Sequence, residues 1–232
     1  MYQLRRRRQL SQVFLRNRIL VRKLVRRSSI GPQDLVFEIG PGGGIITQEL
    51  VKVARQVITI ELDAHFYHFL RRRFAHARNL SLYHADALQY RFPSYPYKVF
   101  ANIPFSIEGK LLRQLIDSQS PPQDCYLVMR RAVAERLGGI YKEGMFSITH
   151  KPWFRFEIFH RFHAHDFTPV SSVNPVMLRI TKRDRPLLPL SSRISYSSFI
   201  RQAFVGGRRL RYNLNRPSHL TLEQWIKLFS LL

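Results

Sequence analysis

The seven residues Ala101 to Ile107, Ala-Asn-Ile-Pro-Phe-Ser-Ile, place an amide, a proline and an aromatic ring directly after a hydrophobic run. Asn102 supplies a side-chain carbonyl that accepts hydrogen bonds. Pro104 lacks an N–H and sets the backbone angle of the turn, which leaves nearby carbonyls, that of Ile103 among them, pointing outward. Phe105 offers a flat face on which a base can stack. Two acceptors and a stacking ring can grip an exocyclic amine and hold its ring still. That suits methyl transfer to the amino nitrogen of adenine, a poor nucleophile because its lone pair is delocalised into the ring. Acceptors at Asn102 Oδ1 and the Ile103 carbonyl can draw the amine toward tetrahedral geometry. With an activated methyl donor, positioning and electrostatics carry much of the rate, and no metal or histidine is required. Taken alone, the tetrapeptide fits equally an ordinary Asn-X-Pro turn over a core Phe.

A second stretch, Glu38 to Thr47 (EIGPGGGIIT), carries glycines at 40, 42 and 44 after an apolar run. Glycines at a strand-to-helix turn let backbone approach a ligand closely. A dinucleotide fingerprint needs glycine at 45, where Ile45 stands, which weakens a nicotinamide reading. Glu61 ends the next apolar run, where an acid can hold ribose hydroxyls of a nucleoside-bearing cofactor. Asp86, in HADAL, can accept from an adenine amino group, or can serve as a plain turn or helix cap. The alternative for the glycines is a tight turn with no ligand.

Apolar runs alternating with helical patterns must position these groups. Strands are expected at Asp34–Gly40, Gln56–Asp63, in LSLYHADAL, in KVFANIPF and in DCYLVMR, and later in FRFEIFHRFH and VNPVMLRITK. Helices are expected in LRNRILVRKLVRRS, with Leu15, Ile19, Leu20 and Leu24 as its apolar stripe, in IITQELVKVA, AHFYHFLRRRFAHA and EGKLLRQLID, and in RAVAERLGG. This alternation predicts an α/β doubly wound parallel sheet, Rossmann-like, with ligands at the carboxyl ends of its strands. RDRPLLPLSS reads as a linker, and short helices follow it. Residues 1–182 are thus expected to form a catalytic domain with a basic N-terminal arm, and 183–232 a small basic helical RNA-binding domain.

The chain has 232 residues and 45% hydrophobic content, enough for a real core and unlike a disordered chain. It has 38 Lys and Arg against 15 acids, and most of the positive charge is Arg. A planar guanidinium suits phosphate and stacks on bases, so the expected partner is nucleic acid; an acidic membrane surface or an acidic protein is the alternative. The single cysteine, Cys125, forbids an internal disulfide, and neither a zinc spacing nor a signal peptide is seen. The expected setting is cytoplasmic, with no metal. The HRFHAH run, His160 to His165, reads as a strand with alternating faces rather than a ligand set. KPWFRFEIFHRF reads as core strand or, alternatively, as a stacking platform. Arg5, Arg6, Arg7 and Arg8 form either an RNA-gripping arm or a solvated tail. Arg130, Arg131 and Arg136, with Arg208 and Arg209 in the tail, are candidate phosphate contacts.

In order along residues 9–182, LSQVFL, EIGPGGGIIT, ELD, ADAL, ANIPFSI, VAERL and FTPVSSVNPVMLRI resemble the Erm and KsgA family of rRNA adenine N6-methyltransferases. The resemblance implies S-adenosylmethionine as cofactor and a loop or single-stranded adenine of folded rRNA as substrate. It implies that Gln12, Val13, Phe14 and Leu15 cover the cofactor. Gly40, Gly42 and Gly44 pack against its methionine and ribose side, Glu61 binds ribose, Asp86 with Ala87 the adenine, and Asn102 the same cofactor's edge. Asn102, Ile103, Pro104 and Phe105 hold the target base, and Phe167 stacks on it from the other side. Val13 stands where the family has Asn, so only a backbone role carries over there. Pro175 stands where a Ser commonly follows Val-Asn, and the tail after Lys182 is short for the family. NIPF and VNP resemble the Erm branch, which implies a monomer acting on 23S rRNA and conferring macrolide, lincosamide and streptogramin B resistance. The KsgA branch, which dimethylates 16S rRNA, is the alternative. A nucleic-acid-binding relative without turnover and a nicotinamide-linked oxidoreductase are the other readings.

Overall fold

The computed structural model describes residues 13–205 and 217–231. Gln12, Arg5, Arg6, Arg7, Arg8, Arg208 and Arg209 lie outside the described residues. The first elements are β1 (Phe14–Leu15), α1 (Arg18–Arg27), β2 (Leu35–Ile39), α2 (Thr47–Leu50), β3 (Gln56–Glu61), α3 (Ala64–Arg73) and β4 (Leu80–His84). Then come β5 (Lys98–Asn102), α4 (Glu108–Ile116), β6 (Asp124–Arg130), α5 (Arg131–Gly138), α6 (Met145–His150) and β7 (Phe154–Arg161). β8 (Phe167–Thr168), β9 (Pro175–Lys182), α7 (Arg193–Val205) and α8 (Leu222–Phe229) complete the set.

The main sheet has seven strands in the order β4-β3-β2-β5-β6-β9-β7. β3 pairs in parallel with β2 and β4, and β5 pairs in parallel with β2 and β6. This is the expected Rossmann-like sheet. Chain order runs outward to β4 on one side of β2 and to β6 on the other. The crevice beyond the carboxyl ends of β2 and β5 is therefore the topological switch point, where ligands sit in such sheets. Gly40 follows β2 and Asn102 ends β5, so connectivity brings both chemical motifs to that crevice. All five residues of β2 are buried, which explains why its sequence reads as a continuous apolar run broken only by Glu38.

One compact unit runs to Arg131 and resumes over Ile158–Arg179; a second takes Ala132–Glu157 and the chain from Ile180 onward. The Pro-rich boundary expected after Lys182 lies close to the second crossing, while nothing in the composition marks the first. The second unit is built on aromatic contacts: Trp153 and Phe229 each present an edge to Tyr196, and Phe199 does so to Trp225. Thr221 and Gln224 cap α8 reciprocally.

Several local expectations are corrected. In α1 the buried residues are Val21, Leu24 and Val25, and Ile19 is 81% exposed, so the expected stripe is rotated. Asn17 caps that helix by accepting from the Leu20 N–H, which leaves Leu15 outside it in β1. The helix expected over IITQELVKVA is only α2, because the Asn79 amide binds the carbonyls of Val51 and Ala54 and ends it. The strand expected through His165 stops at Arg161; Asp166 closes a turn by accepting from the His163 N–H at 2.9 Å. α6 and the antiparallel pair β1–β8 were not foreseen, being too short to show a period.

Gly44 has φ +79°, and a Cβ there would lie 2.7 Å from Leu70 Cδ2 and from Phe74 Cε2. Left-handed backbone and a tight fit against α3 and the residue that ends it both require glycine. Gly44→Ala is expected to lower stability by roughly 2 kcal/mol, combining strain and overpacking. Urea unfolding checks this, and an unchanged midpoint would show that α3 gives way.

Candidate active site

Two cavities meet at Gly40. The first, of about 340 Å³, is walled by Ile60, Glu61, Asp63, Asp86, Ala87 and, across the gap, Pro104. The second, of about 400 Å³, is walled by Phe14, Leu15, Ile46, Phe66 and Asn102, with Arg16, Arg18 and Arg73 around it. Gly40 belongs to both, and the Asn-Ile-Pro turn contributes Asn102 to one and Pro104 to the other.

Glu61 ends β3 and is buried. Its Oε2 accepts from the Gly42 N–H at 3.0 Å and its Oε1 from the Asp63 N–H at 2.9 Å. Burial raises its pKa, and the backbone donors of Asp63 and Gly42 pull it back. Each oxygen keeps a lone pair for a ligand hydroxyl. Asp86 lies at the first cavity and also serves as the turn cap that its sequence allowed, its Oδ1 accepting from the Leu88 N–H at 2.9 Å. Ala87 beside it is buried.

Asn102 lines the second cavity. Its Nδ2 donates to the Val13 carbonyl at 2.7 Å, which makes Val13 a backbone partner, the one role its side chain left open. That bond orients the amide so that Oδ1 is the acceptor left over. Oδ1 is buried and has no hydrogen-bond partner. A buried acceptor without a donor costs about 1–3 kcal/mol, so the position favours a ligand that brings an N–H. Val13 is held in turn by the β1–β8 pair and by Asp166, whose carbonyl accepts from the Arg16 N–H at 2.9 Å. Ile103 is buried and donates its N–H to the Val128 carbonyl at 3.2 Å, fixing the start of the turn against β6. Phe105 is half-buried.

The structure places other expected residues away from the cavities. Gly42 has φ +53° and lies beneath the Phe14 ring, which a Cβ would meet at 2.6 Å. It walls neither cavity; its contribution is the N–H to Glu61, and Gly43 takes the place on the wall. Gly44 packs on Leu70 and Phe74 instead. Phe167 is fully buried, edge-on to Phe162 at 5.2 Å, so its ring is a core ring here rather than an open stacking face. Arg130 was expected to meet phosphate, yet its guanidinium is bound to the buried Glu108 at 3.0 Å. Arg131 and Arg136 are exposed on α5. Phe14 lies within the Gln12 to Leu15 stretch expected to cover the cofactor, whereas Arg16, Arg18, Gly43 and Arg73 were not singled out from the sequence. The nearness of Arg16 and Arg18 to the LSQVFL motif was the signal available. Arg73, bonded to the Gly43 carbonyl at 3.1 Å, reaches the site only through the fold.

The residues present fit a nucleoside-bearing cofactor. One cavity offers three carboxylates, an apolar slot and close backbone, and Asn102, on the wall of the neighbouring one, carries a buried acceptor without a partner. No group of three or more His, Cys, Asp or Glu that could hold a metal occurs among the described residues, and none of their helices is long and apolar enough to cross a membrane.

The sequence pattern of the family described as ribosomal RNA adenine dimethylase matches residues 3–227. The mycinamicin-resistance protein MyrB of Micromonospora griseorubida is 32% identical, over 95% of this chain and 71% of its own. Ribosomal RNA small subunit methyltransferase A of Caldanaerobacter subterraneus is 28% identical, over 87% of this chain and 79% of its own. The crystal structure of the 23S rRNA methyltransferase ErmE superposes with a TM-score of 0.83 at 25% identity, covering 94% of this chain and 98% of that one.

Glu38, beneath the glycine turn, is fully buried and accepts from Thr47 Oγ1 at 2.6 Å. Burial pushes its pKa up to about 8, against 4.5 for the ordinary side chain. The folded state therefore favours the protonated acid. That stability is fully present below about 4.5 and is lost as pH rises through about 8. Unfolding midpoints are expected to fall across this window, and in Glu38→Gln, which keeps the Thr47 bond without a charge, to fall less. Equal pH profiles for the two proteins would exclude Glu38 as the titrating group.

Proposed function

The chain belongs to the ribosomal RNA adenine dimethylase family and is an rRNA adenine methyltransferase, and from that premise we propose that its substrate is one adenine in the peptidyl-transferase region of 23S rRNA. Methylation at N6 there would confer resistance to macrolides, lincosamides and streptogramin B. Support for 23S over 16S comes from the Asn-Ile-Pro-Phe form of the motif and from the 32% identity to a mycinamicin-resistance protein. The observation that carries the catalytic reading is the buried, unpartnered Oδ1 of Asn102.

In this reading Glu61 holds the ribose of S-adenosylmethionine, Asp86 and Ala87 its adenine, and Gly40 the backbone between the cavities. Gln12, Val13, Leu15, Gly42 and Gly44 complete that wall or support it. When bound, S-adenosylmethionine supplies a methyl group already activated on its sulfonium. Asn102 Oδ1 and the Ile103 carbonyl accept from the target amine and orient its lone pair. Pro104 fixes the turn and Phe105 stacks on the base. The target must leave its own stack to reach them. Arg5 to Arg8, Arg131, Arg136, Arg208 and Arg209 are proposed to track phosphates, and the protein to act as a monomer in the cytoplasm.

Two results are expected. Methyl transfer from labelled S-adenosylmethionine to protein-free 23S and 16S rRNA, with primer extension, should give one stop in the 23S peptidyl-transferase loop. A modified base at the 3′ end of 16S would move the protein to the other branch, and label on neither would leave a binding protein. Asn102→Ala should lower kcat by roughly 100-fold or more, the effect of removing one preorganised polar group, with RNA affinity nearly unchanged. Retained activity would remove Asn102 from the chemistry.

A further inference from the structure

The turn that carries Phe105 is tied down by two residues with no part in the site described so far. Glu108 opens α4 and is 1% exposed. One residue satisfies both of its oxygens: the Arg130 N–H donates to Oε1 at 2.6 Å and Arg130 Nε to Oε2 at 3.0 Å. The same guanidinium continues past the carboxylate. Its Nη2 donates to the Phe105 carbonyl at 3.4 Å, and its carbon lies 5.8 Å from the centre of the Phe105 ring. A planar fork can serve a carboxylate, a carbonyl and an aromatic face at once, which an ammonium on a flexible stem cannot.

A buried carboxylate needs a partner simply to be tolerated, and an ion pair alone would say no more than that. Here the partner also holds the turn. Phe105 stands between Pro104 and Ser106, which both wall the first cavity, and three residues after Asn102. β5 and β6 lie side by side, Asn102 opposite Val128, so the clamp closes the gap between the ends of two paired strands. We infer that Glu108 and Arg130 are positioning residues that fix the Phe105 turn so that the target adenine meets Asn102 in register. This rests on the methyl-transfer reading above. It assigns Arg130 to the turn rather than to phosphate.

Arg130→Lys separates the two roles, since it keeps the charge and loses the fork. In rRNA methylation, Arg130→Lys and Glu108→Gln should each lower kcat by roughly 10-fold to 100-fold, the scale of an ångström of misplacement. The RNA KM and the affinity for S-adenosylmethionine should stay within about twofold, and the double variant should be no slower than the slower single one. Wild-type kcat in Arg130→Lys would overturn the inference. So would an Arg130→Ala defect confined to RNA KM with a shallower salt dependence, the mark of a phosphate contact. If the unaltered protein methylated no rRNA, the reading beneath would fail separately. The clamp is then read from urea unfolding of Arg130→Lys, Phe105→Leu and the double variant. Coupling of about threefold or more in the unfolding constant supports it, and additivity overturns it.

Discussion

The bond from Asn102 Nδ2 to the Val13 carbonyl is the interaction on which the site depends. An amide free to turn could present either end to a ligand. Here its donor is taken, so the acceptor Oδ1 is the end left without a partner. The bond also joins two segments far apart in sequence. It needs Val13 in place, and Val13 is in place because β1 pairs with β8 and because Asp166 holds both Arg16 and Asn17. Substituting Val for a polar residue at position 13 leaves this intact, since the contact is made by backbone.

The chain is strongly basic, and its fold makes the exterior more so. Glu38, Glu49, Glu61, Glu108 and Asp124 are all buried. Each has a defined task there. Glu38 is bonded by Thr47, and Glu61 by the glycine turn and the Asp63 N–H. Glu49 gathers Arg18, Arg22 and Lys52. Glu108 holds Arg130, and Asp124 pairs with Arg179. A third of the 15 acids are thus buried, and 38 Lys and Arg face the remaining ones across the chain. The excess of cations favours a polyanion partner, even with Arg18, Arg22, Lys52, Arg130 and Arg179 partly offset by the buried acids. The cost is a core containing carboxyl groups whose protonation the fold itself shifts upward, at Glu38, Glu61 and Glu108.

Much of the sheet was legible because buried parallel strands are apolar runs between turn signals, a rule that β2, β3, β5 and β6 follow, while the partly exposed β4 does so only loosely. Glu61, Asp86 and Asn102 were legible because strand ends at a switch point are where polar side chains meet a ligand. Helix α1 was misread because Ile19 and Leu20 are as apolar as Val21 and Val25. Only packing decides which of two adjacent stripes is buried. Gly44 and Phe167 were assigned to a ligand, and neither faces the cavities. Glycine and phenylalanine serve packing and binding equally well, and spacing cannot separate the two.

By itself the sequence determined the layer architecture, the basic character and the placing of two chemical motifs at the ends of neighbouring strands, because these follow from hydrophobic period, composition and local turn chemistry. The tertiary structure alone decided which end of the Asn102 amide is left without a partner, that Gly43 and Arg73 join the site, and that Arg130 belongs to Glu108 and Phe105. Each of those is a hydrogen bond or close contact between residues 22 to 89 positions apart. Such contacts depend on distances that no local pattern encodes.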